Sequence, residues 1–138
     1  MERVSISRHF DADPEAVRAA IDVTAAFMRG AGFDVVRYVD GDLYIGNRVG
    51  LFEIELELDV VPDDEAVLAY EQREGVFESM RSEYHVAAED GGTTVTAKTD
   101  YAMLDLAVVG TLLDASVVRR QRRKELEAQF DWLAEQVA

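Results

Sequence analysis

Between residues 33 and 103 the sequence keeps returning to a period of two, and this alternation constrains the fold more than any other feature. The clearest run is "GLFEIELELDVV". It sets Phe52, Ile54, Leu56, Leu58 and Val60 on one face and Glu53, Glu55, Glu57 and Asp59 on the other. Successive strand side chains point to opposite faces, so this is a strand with one buried and one wet side, as antiparallel sheets allow. "FDVVRYV" and "LYIGNRV" precede it across "DGD", and "AVLAYEQRE" follows across "PDDE". "VFESMRSEYHVAAE" and "TTVTAKTDYAM" then flank the hairpin signal "DGG". Six strands joined by short links predict an antiparallel meander.

The flanks carry the helices. "RVSISRHFD" alternates, with Val4, Ile6 and Phe10 on one face and Arg8 as the polar exception, and predicts a first strand. "DADPEAVRAAI" follows with Asp13 at the N-cap, Pro14 at the first helical position and Glu15 near the positive end of the dipole. Val17, Ala20 and Ile21 form its apolar stripe, and a short second helix from Val23 to Arg29 stops at Gly30 and Gly32. A long closing helix starts between Asp105 and Asp114. Val108, Leu112, Ala115, Leu126, Phe130, Leu133 and Val137 share one stripe on it, with a break at Gly110 left open. No linker, repeat or low-complexity stretch divides the chain. Residues 1–138 therefore read as a single α+β domain long enough to bury a core.

Composition excludes several chemistries. The absence of cysteine rules out disulfides, thiolate metal sites and a thiol nucleophile. No apolar run approaches the ~20 residues of a membrane span, so integral membrane association is not expected. "MERVSISRHF" lacks the basic-then-apolar layout of a secretory signal, which makes a cytoplasmic location the expectation. Net charge is −14, and twelve of the fourteen basic residues are Arg. Such acidity repels itself at low salt but is tolerable where the Debye length falls to ~3 Å near 1 M salt. A halophilic, salt-accumulating cytoplasm is the preferred reading, with an ordinary acidic protein as the alternative.

The order of strand, two helices, six strands and long helix resembles the START-like superfamily, also called the helix-grip or Bet v1-like fold. Within it the chain is similar to the SRPBCC branch of polyketide cyclase/dehydrase and lipid transport proteins. The stretches that carry this are "FDADPEAVRAAI", "YEQREGVFESMRSEYHV" with its Glu74-Gly75-Val76-Phe77 turn, "EDGGTTVTAKTDYAM" and "GTLLDASVVRRQRRKELEAQFDWL". The resemblance implies a seven-stranded curved antiparallel sheet, two short helices after strand 1, and a long C-terminal helix over a cavity that takes small apolar molecules. It does not imply a shared catalytic set. The sequence departs from the pattern after the first helix, where Phe27, Met28 and Phe33 replace a lid rich in Pro and Trp. Tyr84 also stands where a Trp is frequent.

Polar residues on strand faces with apolar neighbours are the candidates to line such a cavity. Tyr70 and Gln72 share a face with Leu68, Ser82 and Tyr84 with Met80, Asn47 with Leu43 and Ile45, and Thr99 and Tyr101 with Val95. Their other reading is as ordinary core or rim side chains with satisfied hydroxyls. His9 and His85 lack a metal-ligand partner at any helical spacing and read as surface strand residues. Glu53, Glu55 and Glu57 read as a solvated convex face. No phosphate loop or catalytic triad stands out, and no cofactor is expected.

"RRQRRK", residues 119–124, is the one basic cluster. Removing its five positive charges from −14 leaves −19 on the remainder, which would repel a nucleic acid, so none is expected as a partner. On the wheel set by Leu112, Ala115, Leu126, Phe130 and Leu133, Arg119 falls near the middle of the apolar stripe. Arg122 and Arg123 lie to either side, and Arg120, Gln121 and Lys124 point away. Arg119 and Arg122 then either hold a ligand oxygen or pair with sheet carboxylates such as Glu71. The expected function is binding of a small hydrophobic molecule with some polar oxygen. The alternatives are a cyclase, aromatase or dehydrase acting on a poly-carbonyl substrate, and an interaction module on a ribosomal or respiratory complex. Oligomeric state is not legible.

Overall fold

The computed structural model describes residues 1–49, 51–104 and 114–138. The elements run β1 (Glu2–Phe10), α1 (Pro14–Asp22), α2 (Thr24–Arg29), β2 (Val35–Val39), β3 (Asp42–Val49), β4 (Phe52–Val60), β5 (Leu68–Glu74), β6 (Phe77–Glu89), β7 (Gly92–Met103) and α3 (Ala115–Gln136). Seven strands form one antiparallel sheet in the order β1-β7-β6-β5-β4-β3-β2. The meander β2 to β7 follows chain order. β1 then joins the far side of β7, pairing Val4 with Thr99 and Phe10 with Thr93. Bulges at Glu57/Leu58 and Phe77/Ser79 bend strands where the ladder would otherwise stay regular.

Alternation decides the faces. Leu56 and Leu58 are buried on β4, whereas Glu53 and Glu55 are exposed on the opposite side. There Glu53 pairs with Arg48, Glu55 accepts from the Tyr44 hydroxyl, and Asp59 pairs with Arg73. His85 lies against Glu83 and His9 against Asp11 on strand surfaces. Among the described residues no cluster of three His, Asp or Glu could hold a metal ion, and no helix is long and apolar enough to cross a membrane.

The turns follow from their residues. Asp40-Gly41 and Asp90-Gly91 all have positive φ, from 50° to 84°, the requirement of the tight primed turns that match strand twist. The second hairpin is thus one residue tighter than "DGG" suggests, because Gly92 already pairs with Glu89. Gly92 is there for space: a Cβ on it would lie 2.4 Å from the Phe10 carbonyl oxygen.

α1 buries Val17 and Ile21, one turn apart. Asp13 occupies its N-cap position without a side-chain capping bond; only its carbonyl accepts, from the Val17 N–H. α3 has a true cap, since the Asp114 carboxylate accepts from the Ser116 and Val117 N–H groups at 2.9 and 3.0 Å. The expected helical positions Val108 and Leu112 and the break at Gly110 lie outside the described residues. α3 packs Phe130 edge-on to Phe10 and buries Leu126 and Leu133 completely. Arg8, the polar exception on β1, lays its guanidinium over the Phe130 ring and pairs with Asp131 at 2.8 Å.

Gly92→Ala should destabilise the fold by ~1–3 kcal/mol, because the added methyl meets backbone rather than a movable side chain. Urea unfolding measures this, and an unchanged midpoint would contradict the close approach.

Candidate functional site

The sheet's inner face carries a cross-strand row of hydroxyls. Ser82 on β6 sits directly opposite Tyr70 on β5 and Thr99 on β7. Tyr84, two residues along β6, therefore projects from the same face. Arg122 of α3 settles over this row and is 8% exposed. Its Nε donates to Thr99 Oγ1 at 2.9 Å. Its Nη2 donates to the Tyr70 hydroxyl at 2.7 Å, the Tyr84 hydroxyl at 3.1 Å and Ser82 Oγ at 3.2 Å. Its Nη1 donates to Glu125 Oε1 at 3.1 Å. Ser82 and Thr99 also bond each other at 2.7 Å.

The network continues outward in two directions. The Tyr84 hydroxyl donates to Gln129 Oε1 at 2.7 Å, and Gln129 Nε2 donates to the Phe27 carbonyl in α2. Because the Tyr84 proton goes to Gln129, the Tyr70 proton serves the 3.3 Å contact between the two tyrosines. On the other side Glu125 Oε2 accepts from Asn47 Nδ2 at 3.2 Å and Gln121 Nε2 at 3.1 Å.

A cavity of about 60 Å³ opens beside this network, between sheet and α3. Ile45, Ile54, Leu56, Phe33, Phe77 and Val118 form its apolar wall. Met80, Tyr70 and Tyr101 line the side toward the central strands, and Asn47, Thr99, Gln121, Arg122 and Glu125 form its polar end.

The charge states follow from the surroundings. Burial works against the Arg122 cation, but the Tyr70 and Tyr84 oxygens and the Glu125 carboxylate outweigh it and push its pKa up. Tyr84 is pushed well above its ordinary value by burial, reinforced by Tyr70 and opposed by Arg122. Tyr101 is also raised by burial, with Asp114 adding to it, and its hydroxyl donates to the Ala115 carbonyl at the start of α3.

Of the residues anticipated from the sequence, Asn47, Tyr70, Thr99, Tyr101 and Arg122 line the cavity, while Ser82 and Tyr84 stand behind it and hold Arg122. Gln72 does not line it. It braces the turn before β6, donating to the Phe77 carbonyl and accepting from the Phe77 N–H. Arg119 corrects the helical wheel: it is exposed and pairs with Glu2 on β1. The wheel counted only apolar residues, whereas the buried arc also contains Arg122, Glu125 and Gln129. Including them moves its centre roughly half a residue step away from Arg119, which lies toward the β1 edge of the sheet and meets Glu2 there. Glu71 is not the partner of Arg122 either, for it lies with Arg81. Gln121 is a second correction, for the wheel turns it outward whereas it lines the cavity and donates to Glu125, and Glu125 and Gln129 are not among the residues the sequence singles out. Their signal was spacing, since each lies three or four residues from the next or from Arg122.

No protein-family model matches the sequence, and no curated protein matches it. Solved structures do. The Zhui aromatase/cyclase from Streptomyces sp. R1128 superposes with a TM-score of 0.77 at 15% identity, covering 99% of this chain and 96% of that one. The protein TTHA0849 from Thermus thermophilus gives 0.75 at 18%, covering 99% and 97%. A START superfamily protein from Mycobacterium smegmatis gives 0.73 at 14%, covering 98% and 96%. The chain has the START-like helix-grip fold.

Arg122→Met should destabilise by roughly 3–5 kcal/mol, because it leaves the Glu125 carboxylate buried without its cation. Arg122→Met combined with Glu125→Leu should regain part of that loss in urea unfolding; a double variant no better than the single would refute the pair's role. A raised Tyr84 pKa means its contribution to stability is present below ~10, the unfolded value, and is lost as pH rises beyond it. The stability difference between wild type and Tyr84→Phe should therefore shrink between pH 9 and 11.

Proposed function

We propose that this chain binds a compact, largely apolar molecule in the cavity between the sheet and α3. The observation that carries this is an apolar wall closed at one end by the Arg122–Glu125 network, the arrangement of small-molecule sites. Apolar burial at ~25 cal/mol per Å² supplies the affinity, and the polar end sets orientation. The START superfamily and aromatase/cyclase structures that share the fold support the same reading. At about 60 Å³ the cavity suits a single ring. It lies far below the ~300–1,000 Å³ of pockets for drug-sized ligands. A larger molecule requires the half-buried Phe33, Ile54 and Phe77 to swing aside.

A second reading gives the cavity a reaction, the cyclisation or dehydration of a poly-carbonyl compound. It draws on the likeness to an aromatase/cyclase and on Glu125, a carboxylate lining the cavity beside the Arg122 cation. There Arg122 would stabilise developing oxyanion charge and Glu125 would accept a proton.

Titration of methyl-labelled protein with monocyclic aromatic and alicyclic compounds tests the binding proposal. Saturable shifts confined to the methyls of Ile45, Leu56, Met80 and Val118 are expected. Absence of saturable shifts for every compound at millimolar concentration would overturn it. Product formation from a poly-carbonyl compound, followed by mass spectrometry, selects the second reading.

A further inference from the structure

The hydrogen-bond inventory of the polar end says what kind of ligand it suits, and the result differs from the anionic or carbonyl oxygen that an inward arginine suggests. A guanidinium has five N–H donors. Nε and Nη2 of Arg122 are engaged by Thr99, Tyr70, Ser82 and Tyr84, and one Nη1 donor goes to Glu125. At most one N–H of the arginine is left for a ligand.

The amides are turned by the same carboxylate. A carboxylate only accepts, so Asn47 and Gln121 must present their nitrogens to Glu125 Oε2, which fixes the opposite disposition of their oxygens. Neither Asn47 Oδ1 nor Gln121 Oε1 has a hydrogen-bond partner among the described residues. No fully buried side-chain nitrogen or oxygen there is without one, so both oxygens meet open space, and both residues line the cavity. Counting the second N–H of each amide, about three donors remain against about five lone-pair sites. The strongest remaining acceptor is Glu125.

Charge points the same way. Arg122 and Glu125 are the only charged side chains lining the cavity among the described residues, and they neutralise each other at 3.1 Å. An anion entering would meet the Glu125 carboxylate in a poorly screened setting, with the arginine's positive charge already engaged.

Resting on the binding reading above, we infer that the ligand presents a neutral hydrogen-bond donor, a hydroxyl or an N–H, to the Asn47–Gln121–Glu125 end of the cavity. A matched series tests it: 4-ethylphenol and neutral 4-ethylaniline as donors, 4-ethylanisole as an acceptor only, and 4-ethylbenzoate as an anion, each titrated by NMR. The donors should bind at least about tenfold more tightly than the anisole and the benzoate. Gln121→Met and Asn47→Leu should each lower that preference several-fold by weakening the donors and leaving the anisole unchanged. If the anisole or the benzoate binds as well as the phenol, or both variants keep the full preference, the inference is overturned while the binding reading stands. If no member of the series binds, the binding reading itself fails.

Discussion

A guanidinium withdrawn from water needs acceptors on nearly every N–H, and the architecture around Arg122 is organised by that demand. The acceptors come from three adjacent strands because the register of β5, β6 and β7 places Tyr70, Ser82 and Thr99 side by side. Glu125, one helical turn along α3, completes the set. A slip of one residue in any of these strands would turn its hydroxyl to the opposite face and strand the cation. The arginine thus fixes how α3 is rotated over the sheet, a choice that the apolar residues of the helix leave looser.

The same network ties α2 to the sheet and α3, which bound the cavity. Tyr84 belongs to the sheet, Gln129 to α3, and the Phe27 carbonyl to α2, and they are joined in one chain of hydrogen bonds. Phe27 and Tyr84 also meet edge to face, with ring centroids 5.0 Å apart. Apolar contact and hydrogen bonding therefore hold the same three parts, with the half-buried residues of the wall left as the parts able to move. A chain carrying −14 on its exterior holds at this centre a nearly neutral pair, so surface acidity says little about what the cavity accepts.

Strand faces were legible because a period of two is unambiguous once one side is charged. "EIELEL" allows only one burial pattern, and the inward directions of Asn47, Tyr70, Ser82, Tyr84 and Thr99 follow from apolar neighbours two residues away. The helix was less legible. Its buried arc is part polar, and a wheel that scores only apolar residues points to Arg119, which instead meets Glu2 on the surface. Gln72 lies on the strand that the alternation predicts, but the tight turn before β6 claims its amide. Neither outcome is encoded in local pattern, since both depend on partners distant in the fold or on turn geometry.

By itself the amino-acid sequence determined the element order, the inward face of each strand and the Asp-Gly hairpins, because these rest on periodicity and on the φ angles that single residues tolerate. Tertiary structure decided which arginine is buried, that Glu125 and two amides share its end of the cavity, and how small that cavity is. Those properties arise where three strands and a helix are brought within hydrogen-bonding distance. The rotation of that helix is settled by satisfying one desolvated charge, a condition that can be met only after the sheet exists.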